Sequence, residues 1–514
     1  MSNPIAEHKK TTKDLALAVK PADVFDWLLD HGYFPESYVL PPCFRVTKRP
    51  STRKRYYEVK TKKGRTRYVP DQCELVEVSF PKSELTDRTF GIMDPHLHHD
   101  IALQIIENWG QIVEALIPGD SAVTSYSFPI PVDARNPGRL TVLRSGRSIY
   151  EFIEMTDDDL ATVAYQYTHI VKADIKSFYP SIYTHSIAWA LHGKDFIRTP
   201  PNRHNYNLLG NRLDKLFQSA SDGRTNGIPI GPVVSDVAAE ILAAAVDRRL
   251  TALLADRTSR LCMVRFKDDY RILLKTRDDA NTVIGCLQRA LREFNLELSD
   301  DKTRIESLPS GLFRPWVSRY HAVNPEKRDR YTWKQFREIY LAVVEIDRSL
   351  PGTGVIDRFL ADIVDQHGQV RVELKAPNLQ KVMSMLIMLG TLRAKAFPKV
   401  IAVLESILKS PLGSAHRPDL VAYLEQYLKR LSEDEVRNRY LISWIWYFFV
   451  SNRLTKMLSF SPTYTTEIVT SVFKNGSVVH KKRKDFSLFV NSKTAAKRIS
   501  MLEHLDVFNP PNPS

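Results

Sequence analysis

Leu261-Cys262-Met263-Val264-Arg265-Phe266-Lys267-Asp268-Asp269-Tyr270-Arg271-Ile272-Leu273-Leu274 is two short β-favouring runs that meet at Lys267-Asp268-Asp269. Neither run is long enough for a typical helix, so the stretch reads as two strands joined by a tight turn with acids at its tip. Adjacent acids alone usually mark a solvated turn. That bland reading is the expectation for Asp278-Asp279, Asp300-Asp301 and Asp157 to Asp159. What separates Asp268-Asp269 from those is its surroundings.

Upstream, Val171, Ala173 and Ile175 alternate with Lys172 and Asp174, as expected of a half-buried strand. The segment Ala173-Asp174-Ile175-Lys176-Ser177-Phe178-Tyr179-Pro180-Ser181-Ile182 then sets an acid near the strand end and an aromatic five positions on. Between this segment and the hairpin lies Gly227-Ile228-Pro229-Ile230-Gly231-Pro232. It is a tight loop leading into a helix marked by Val234, Val237, Ala238, Ile241, Leu242 and Ala245. Downstream, Leu296-Glu297-Leu298-Ser299-Asp300-Asp301-Lys302-Thr303 supplies a lysine after a strand.

In order and spacing these four patterns resemble motifs A, B, C and D of reverse transcriptases, over roughly residues 40 to 325. The resemblance implies an α+β fold: right-hand polymerase fingers and palm, followed by a large all-α C-terminal domain. It implies an RNA-directed DNA polymerase-type nucleotidyltransferase acting on dNTPs. Joining a 3′-hydroxyl to an α-phosphate uses two Mg²⁺ ions, with Mn²⁺ able to substitute. Hard cations prefer carboxylate oxygens, which makes Asp174, Asp268 and Asp269 the expected metal ligands and catalytic residues.

Lys302 resembles the motif D lysine that protonates departing pyrophosphate. Tyr179 stands where reverse transcriptases carry a bulky side chain that excludes a ribose 2′-hydroxyl; a core aromatic is the alternative. Ile175, Gly227 and Gly231 join it as expected nucleotide contacts, the glycines because they let backbone approach without a Cβ. Arg135, Arg139, Arg144 and Arg147 lie where fingers cations meet the triphosphate, with Arg144 and Arg147 named as binders.

Within the superfamily, Phe178 to Ile187 and Thr225 to Pro232 look like the bacterial abortive-infection and unknown-group reverse transcriptases of anti-phage defence, the AbiK-like enzymes. Their known character implies protein-primed DNA synthesis, in some cases without a template. A single-stranded DNA product covalently attached to the chain, an RNA partner and a homo-oligomer are further expectations. Motif B usually has glutamine where Ile230 stands, and motif C a small or apolar residue where Lys267 stands; isoleucine makes none of glutamine's polar contacts. A conventional RNA-templated enzyme of retron or mobile-element type stays open as the alternative.

The remaining sequence is consistent with this frame. The 514 residues exceed one core and are expected to divide at 1–165 (N-terminal segment and fingers), 166–325 (palm), 326–508 (α-helical domain) and 509–514 (disordered tail). Periodic apolar positions predict helices over Leu379 to Leu392, Val400 to Leu408 and Leu420 to Leu431. An excess of 73 Lys and Arg over 59 Asp and Glu gives a formal +14 and favours a polyanionic partner.

The densest basic stretch is Lys48, Arg49, Arg53, Lys54, Arg55, Lys60, Lys62, Lys63, Arg65 and Arg67, interleaved with Tyr56, Tyr57 and Tyr68. It reads equally as a nucleic-acid contact or a solvated hairpin edge. His480 to Lys484 reads as an exposed basic turn, and Trp444, Trp446, Tyr447, Phe448 and Phe449 as buried helix. Asp94, His96, His98, His99 and Asp100 are expected at the polar start of a helix from His99 to Leu116 and not at a metal. Cys43, Cys73, Cys262 and Cys286 show no paired spacing. With neither a signal pattern in Met1 to Lys20 nor a membrane-length apolar run, a cytoplasmic place is expected.

Overall fold

The two runs around Lys267-Asp268 form the antiparallel hairpin at the heart of a five-stranded sheet. The computed structural model describes residues 3–60, 66–82, 86–141, 146–365 and 367–505. In chain order its strands are β1 (Phe44–Lys48), β2 (Glu58–Lys60), β3 (Thr66–Tyr68), β4 (Val76–Pro81), β5 (Asp87–Ile92), β6 (Val123–Ser125), β7 (His169–Asp174), β8 (Cys262–Phe266), β9 (Asp269–Leu274), β10 (Arg304–Ser307) and β11 (Ser487–Phe489). The main sheet runs β10-β7-β9-β8-β6, antiparallel except for the parallel pair of β6 with β8.

Alternation along the strands assigns side chains to two faces. Val171, Ala173, Met263, Ile272 and Leu274 enter a core shared with the helix Val233–Leu254 and the helix Arg277–Glu293. Ile170, Val264 and Leu273 point the other way, into a smaller cluster with Ile5, Tyr126 and Leu160. The sheet is therefore covered on both faces, which corrects the half-buried strand expected from the Val171-Ala173-Ile175 alternation. Ile170 and Val171 are both fully buried.

The C-terminal region is helical, as expected, with a helix over each predicted span: Ala376–Leu392, Phe397–Lys409 and Arg417–Ser432. Pro398 lies in the first turn of its helix, where a missing N–H is harmless. The aromatic run Trp444 to Phe449 is buried within the helix Glu435–Ser451. These helices do not close a core of their own. One continuous cluster joins Tyr33 to Ile92 with Trp316 to Leu505, and β11 pairs with β1, so both ends of the chain build the same region. The combination is an α+β fold in which a five-stranded sheet is followed by a helical C-terminal region.

Two local expectations change. The predicted helix from His99 to Leu116 is two helices, Pro95–Glu107 and Trp109–Leu116, broken at Asn108, and the first begins four residues early because Asp94 caps it. The strand expected before Lys302 is reduced to one bridge, Leu298 to Ile175, followed by a short 3₁₀ turn over Asp300–Lys302. The tail 509–514 lies outside the described residues.

Candidate active site

Strand register brings the acids together. Asp174 is the last residue of β7 and pairs directly with Asp269, the first residue of β9, while Phe266 pairs with Asp269 across the hairpin. This leaves Lys267-Asp268 as a two-residue turn. Lys267 takes a φ of 54°, and the Ile175 N–H donates to the Asp268 carbonyl at 3.1 Å, tying the turn to the segment after β7. The side chain of Lys267 reaches Glu36 at 3.8 Å.

Three carboxylates at one sheet end repel one another. Asp269 opens to solvent on one side and is enclosed by protein on the others; this enclosure, then the charges of Asp268 and Asp174, push its carboxyl up to about 7. Burial and then Asp174 also raise Asp268. Lys302 Nζ donates to Asp174 Oδ2 at 2.7 Å. Partial burial works against its charge, but Asp174, Asp269 and Asp268 outweigh that and raise its pKa, so Lys302 is held protonated.

Among the described residues no three His, Cys, Asp or Glu side chains close into a ready cage for a metal ion. For Mg²⁺ that is compatible with the site, because Mg²⁺ keeps waters and is commonly held by one or two carboxylates plus substrate phosphates. The donor set is all hard oxygen, and its mutual repulsion is relieved by a cation. The residues present fit the ion.

Tyr179 Oη donates to Asp236 Oδ1, 2.6 Å away in the first turn of the helix Val233–Leu254. The glycine loop is stapled to the same segment: Gly227 N–H donates to Ile182 O at 2.8 Å and Ile228 N–H to Tyr179 O at 3.1 Å. Gly227 needs its φ of 86°. A Cβ on Gly231 would come within 2.9 Å of Pro35, so that glycine is explained by the packing of the N-terminal segment. Ile175 is fully buried, offering only backbone at the site. Ile230 packs its side chain against the C-terminal core while its carbonyl accepts from Gly91 at 2.9 Å. Arg135 and Arg139 are exposed; Arg144 lies outside the described residues, and only the backbone of Arg147 is described, in the helix Gly146–Val163.

Sequence reasoning missed the support beneath the turn. Arg265 is fully buried and forks between Glu240 (2.8 and 3.0 Å) and Asp247 (2.8 and 2.9 Å), with Nη1 also donating to the Lys267 carbonyl at 2.8 Å. Ser127 Oγ donates to Glu240 at 2.8 Å and accepts the Lys267 N–H at 3.0 Å. Both polar groups of the Lys267 backbone are thus held by one buried network. An arginine inside an apolar strand, with acids seven apart on the helix Val233–Leu254, was the available signal.

The Asp94 to Asp100 cluster is occupied without a metal. Asp94 caps its helix and pairs with Arg483 at 2.6 Å, His96 meets Asp485 at 2.9 Å, His98 bonds Leu28 O at 3.0 Å, and Asp100 accepts the backbone N–H groups of Tyr56 and Tyr57.

The five-stranded sheet and the helices around it form a right-hand polymerase fold of reverse-transcriptase type, with a helical C-terminal region. Residues 130–336 match the family described as reverse transcriptase (RNA-dependent DNA polymerase). Residues 130–336 of the chain thus carry a reverse transcriptase domain. No curated protein matches it.

Among solved structures it is similar to telomerase from Candida albicans in complex with a fragment of telomeric RNA, at 13% identity over 83% of this chain and 66% of that one, with a TM-score of 0.29. Apo telomerase from Candida tropicalis gives 10% identity over 87% and 72%, with a TM-score of 0.34. The Sicinivirus RNA-dependent RNA polymerase gives 11% over 59% and 64%, with a TM-score of 0.25. The chain spans about two thirds of the length of the telomerase from Candida albicans. No described helix is long and apolar enough to cross a membrane.

Proposed function

We propose that this chain polymerises dNTPs on Asp174, Asp268 and Asp269, starting on one of its own hydroxyls and able to proceed without a template. We place it in the cytoplasm as a homo-oligomer serving abortive-infection defence against phage. The observation that carries the catalytic reading is the register that sets Asp174 opposite Asp269 with Asp268 in the adjoining turn.

These carboxylates would hold two Mg²⁺ ions, which when bound activate the attacking hydroxyl and neutralise the departing pyrophosphate. Lys302 Nζ carries the proton that pyrophosphate takes up as it leaves. Tyr179, its phenol fixed by Asp236, is assigned to exclude the 2′-hydroxyl, leaving dNTPs as substrates. Self-priming asks little new of the site. Any hydroxyl positioned beside the acids replaces a primer end, and positioning supplies much of the rate. Ile230, turned into the core, presents no amide to a template base, which supports relaxed template use.

The test is purified protein with Mg²⁺ and labelled dNTPs, without primer or template, resolved on a denaturing gel. Label that migrates with the polypeptide until protease frees it is the expected result. DNA that forms only with an added primer and RNA template would favour the conventional templated enzyme. Absence of incorporation in every arm would overturn the assignment of the acids.

A further inference from the structure

Two basic segments from opposite ends of the sequence meet on one surface. Lys48 ends β1, and its Nζ donates to the carbonyl of Lys484 at 3.3 Å. Beside it, β1 pairs with β11, with Lys48 opposite Ser487. Tyr56 Oη donates to Asp485 at 2.6 Å, and Arg483 clamps Asp94 at 2.6 Å. The turn that carries Lys481 to Asp485 is therefore fastened against residues 48 to 56 at several points.

The fastening uses up the acids and leaves cations outside. Asp485 is engaged by Tyr56 and His96, and Asp94 by Arg483. Lys48, Arg53, Lys54, Lys481, Lys482 and Lys484 are all exposed, and among the described residues none of them is in an ion pair. Leaving so many like charges together costs folding energy through self-repulsion, which a bound polyanion removes. A lysine-protected edge explains one or two charges on β1, but not a second set held beside it by the buried Asp94 and the half-buried Asp485.

We propose that this composite surface binds the phosphate backbone of a single nucleic-acid strand without reading its sequence, apart from the catalytic acids. Lysines suit this role because each is a point charge on a flexible stem, able to follow phosphates without fixed geometry.

The experiment is fluorescence anisotropy of the full chain with a short labelled single-stranded DNA of mixed sequence, across a salt series, without nucleotides or divalent metal. Binding is thus read independently of polymerisation. Replacing Lys481, Lys482 and Lys484 together by Gln should weaken binding about tenfold or more and reduce the slope of log affinity against log salt by about 2, at roughly 0.7 per phosphate contact. The Arg triple should keep both. If the Gln triple fails to fold, Lys48→Gln with Lys54→Gln reads the same surface from the other segment. Unchanged affinity and slope in folded variants would overturn the proposal. So would loss of binding to phosphatidylserine vesicles with DNA binding intact, which would make this a membrane-facing surface.

Discussion

Arg265 donates to the carbonyl oxygen of Lys267, two residues further along its own chain, from a position with no solvent contact. The left-handed turn that presents Asp268 is thereby fixed from below by a charge which Glu240 and Asp247 keep in place. Replacing Arg265 by Met would leave those two carboxylates buried with only the hydroxyls of Ser125, Ser127 and Tyr270 and no balancing positive charge. The expected result is a loss of about 3–5 kcal/mol, seen as a large drop in the unfolding midpoint. Arg265→Lys should recover part of the stability but little incorporation, since an ammonium cannot fork between two acids and a carbonyl.

Asp268→Asn, Asp269→Asn and Asp174→Asn should each abolish nucleotide incorporation while the protein stays folded. Each removes a charge and keeps the size. Robust incorporation by a double variant at 268 and 269 would remove these residues from the chemistry.

The same acids predict an opposite effect on stability. With Asp269 pushed up to about 7 by enclosure and by its neighbours, its ionised form is disfavoured in the folded protein relative to the unfolded one. A carboxyl raised in this way lowers stability as pH rises from the ordinary carboxylate range toward 7. Without divalent ions at neutral pH, Asp269→Asn should therefore raise the unfolding midpoint. Adding Mg²⁺ should stabilise the wild type more than the variant. Thermal scans in chelator and in Mg²⁺ read both, and equal Mg²⁺ responses would count against Asp269 as a ligand.

Tyr179→Ala should lower the ratio of dNTP to rNTP use. Asp236→Ala should lower it less, because the ring remains but loses the bond that fixes its phenol. An unchanged ratio in Tyr179→Ala with normal dNTP activity would make Tyr179 a core residue. A shift in Tyr179→Ala alone would keep the gate and dismiss Asp236.

Lys302→Ala should slow incorporation by roughly 100-fold or more if its proton goes to the leaving group, the usual scale for general-acid help. Single-turnover measurement at saturating dNTP isolates that step. A change confined to KM would reduce Lys302 to a counter-charge for Asp174.

The acids and the hairpin were legible because strands alternate with a period of two and turns have few acceptable lengths. Asp174, Asp268 and Asp269 therefore converge wherever β7 and β9 pair. Gly231 and Ile175 were less legible, because their roles depend on Pro35 and on core burial, which no local spacing reveals. Arg265 was visible as an oddity, an arginine in an apolar strand, but its partners sit on a helix 18 and 25 positions away. The helix broken at Asn108 looked continuous because apolar periodicity runs across it, while the early start at Pro95 is fixed by the Asp94 cap, which lies outside the apolar pattern.

The pairing of β1 with β11 also has a consequence in time. The hydrogen bonds of Thr47 to Ser487 span 440 positions. During synthesis β1 must wait, unpaired, until the 440 positions between Thr47 and Ser487 have been made. Contacts of such separation form slowly. The catalytic hairpin can fold long before the region packed beside it does. A nascent chain will therefore carry its three acids before the region built on β1 and β11 is complete.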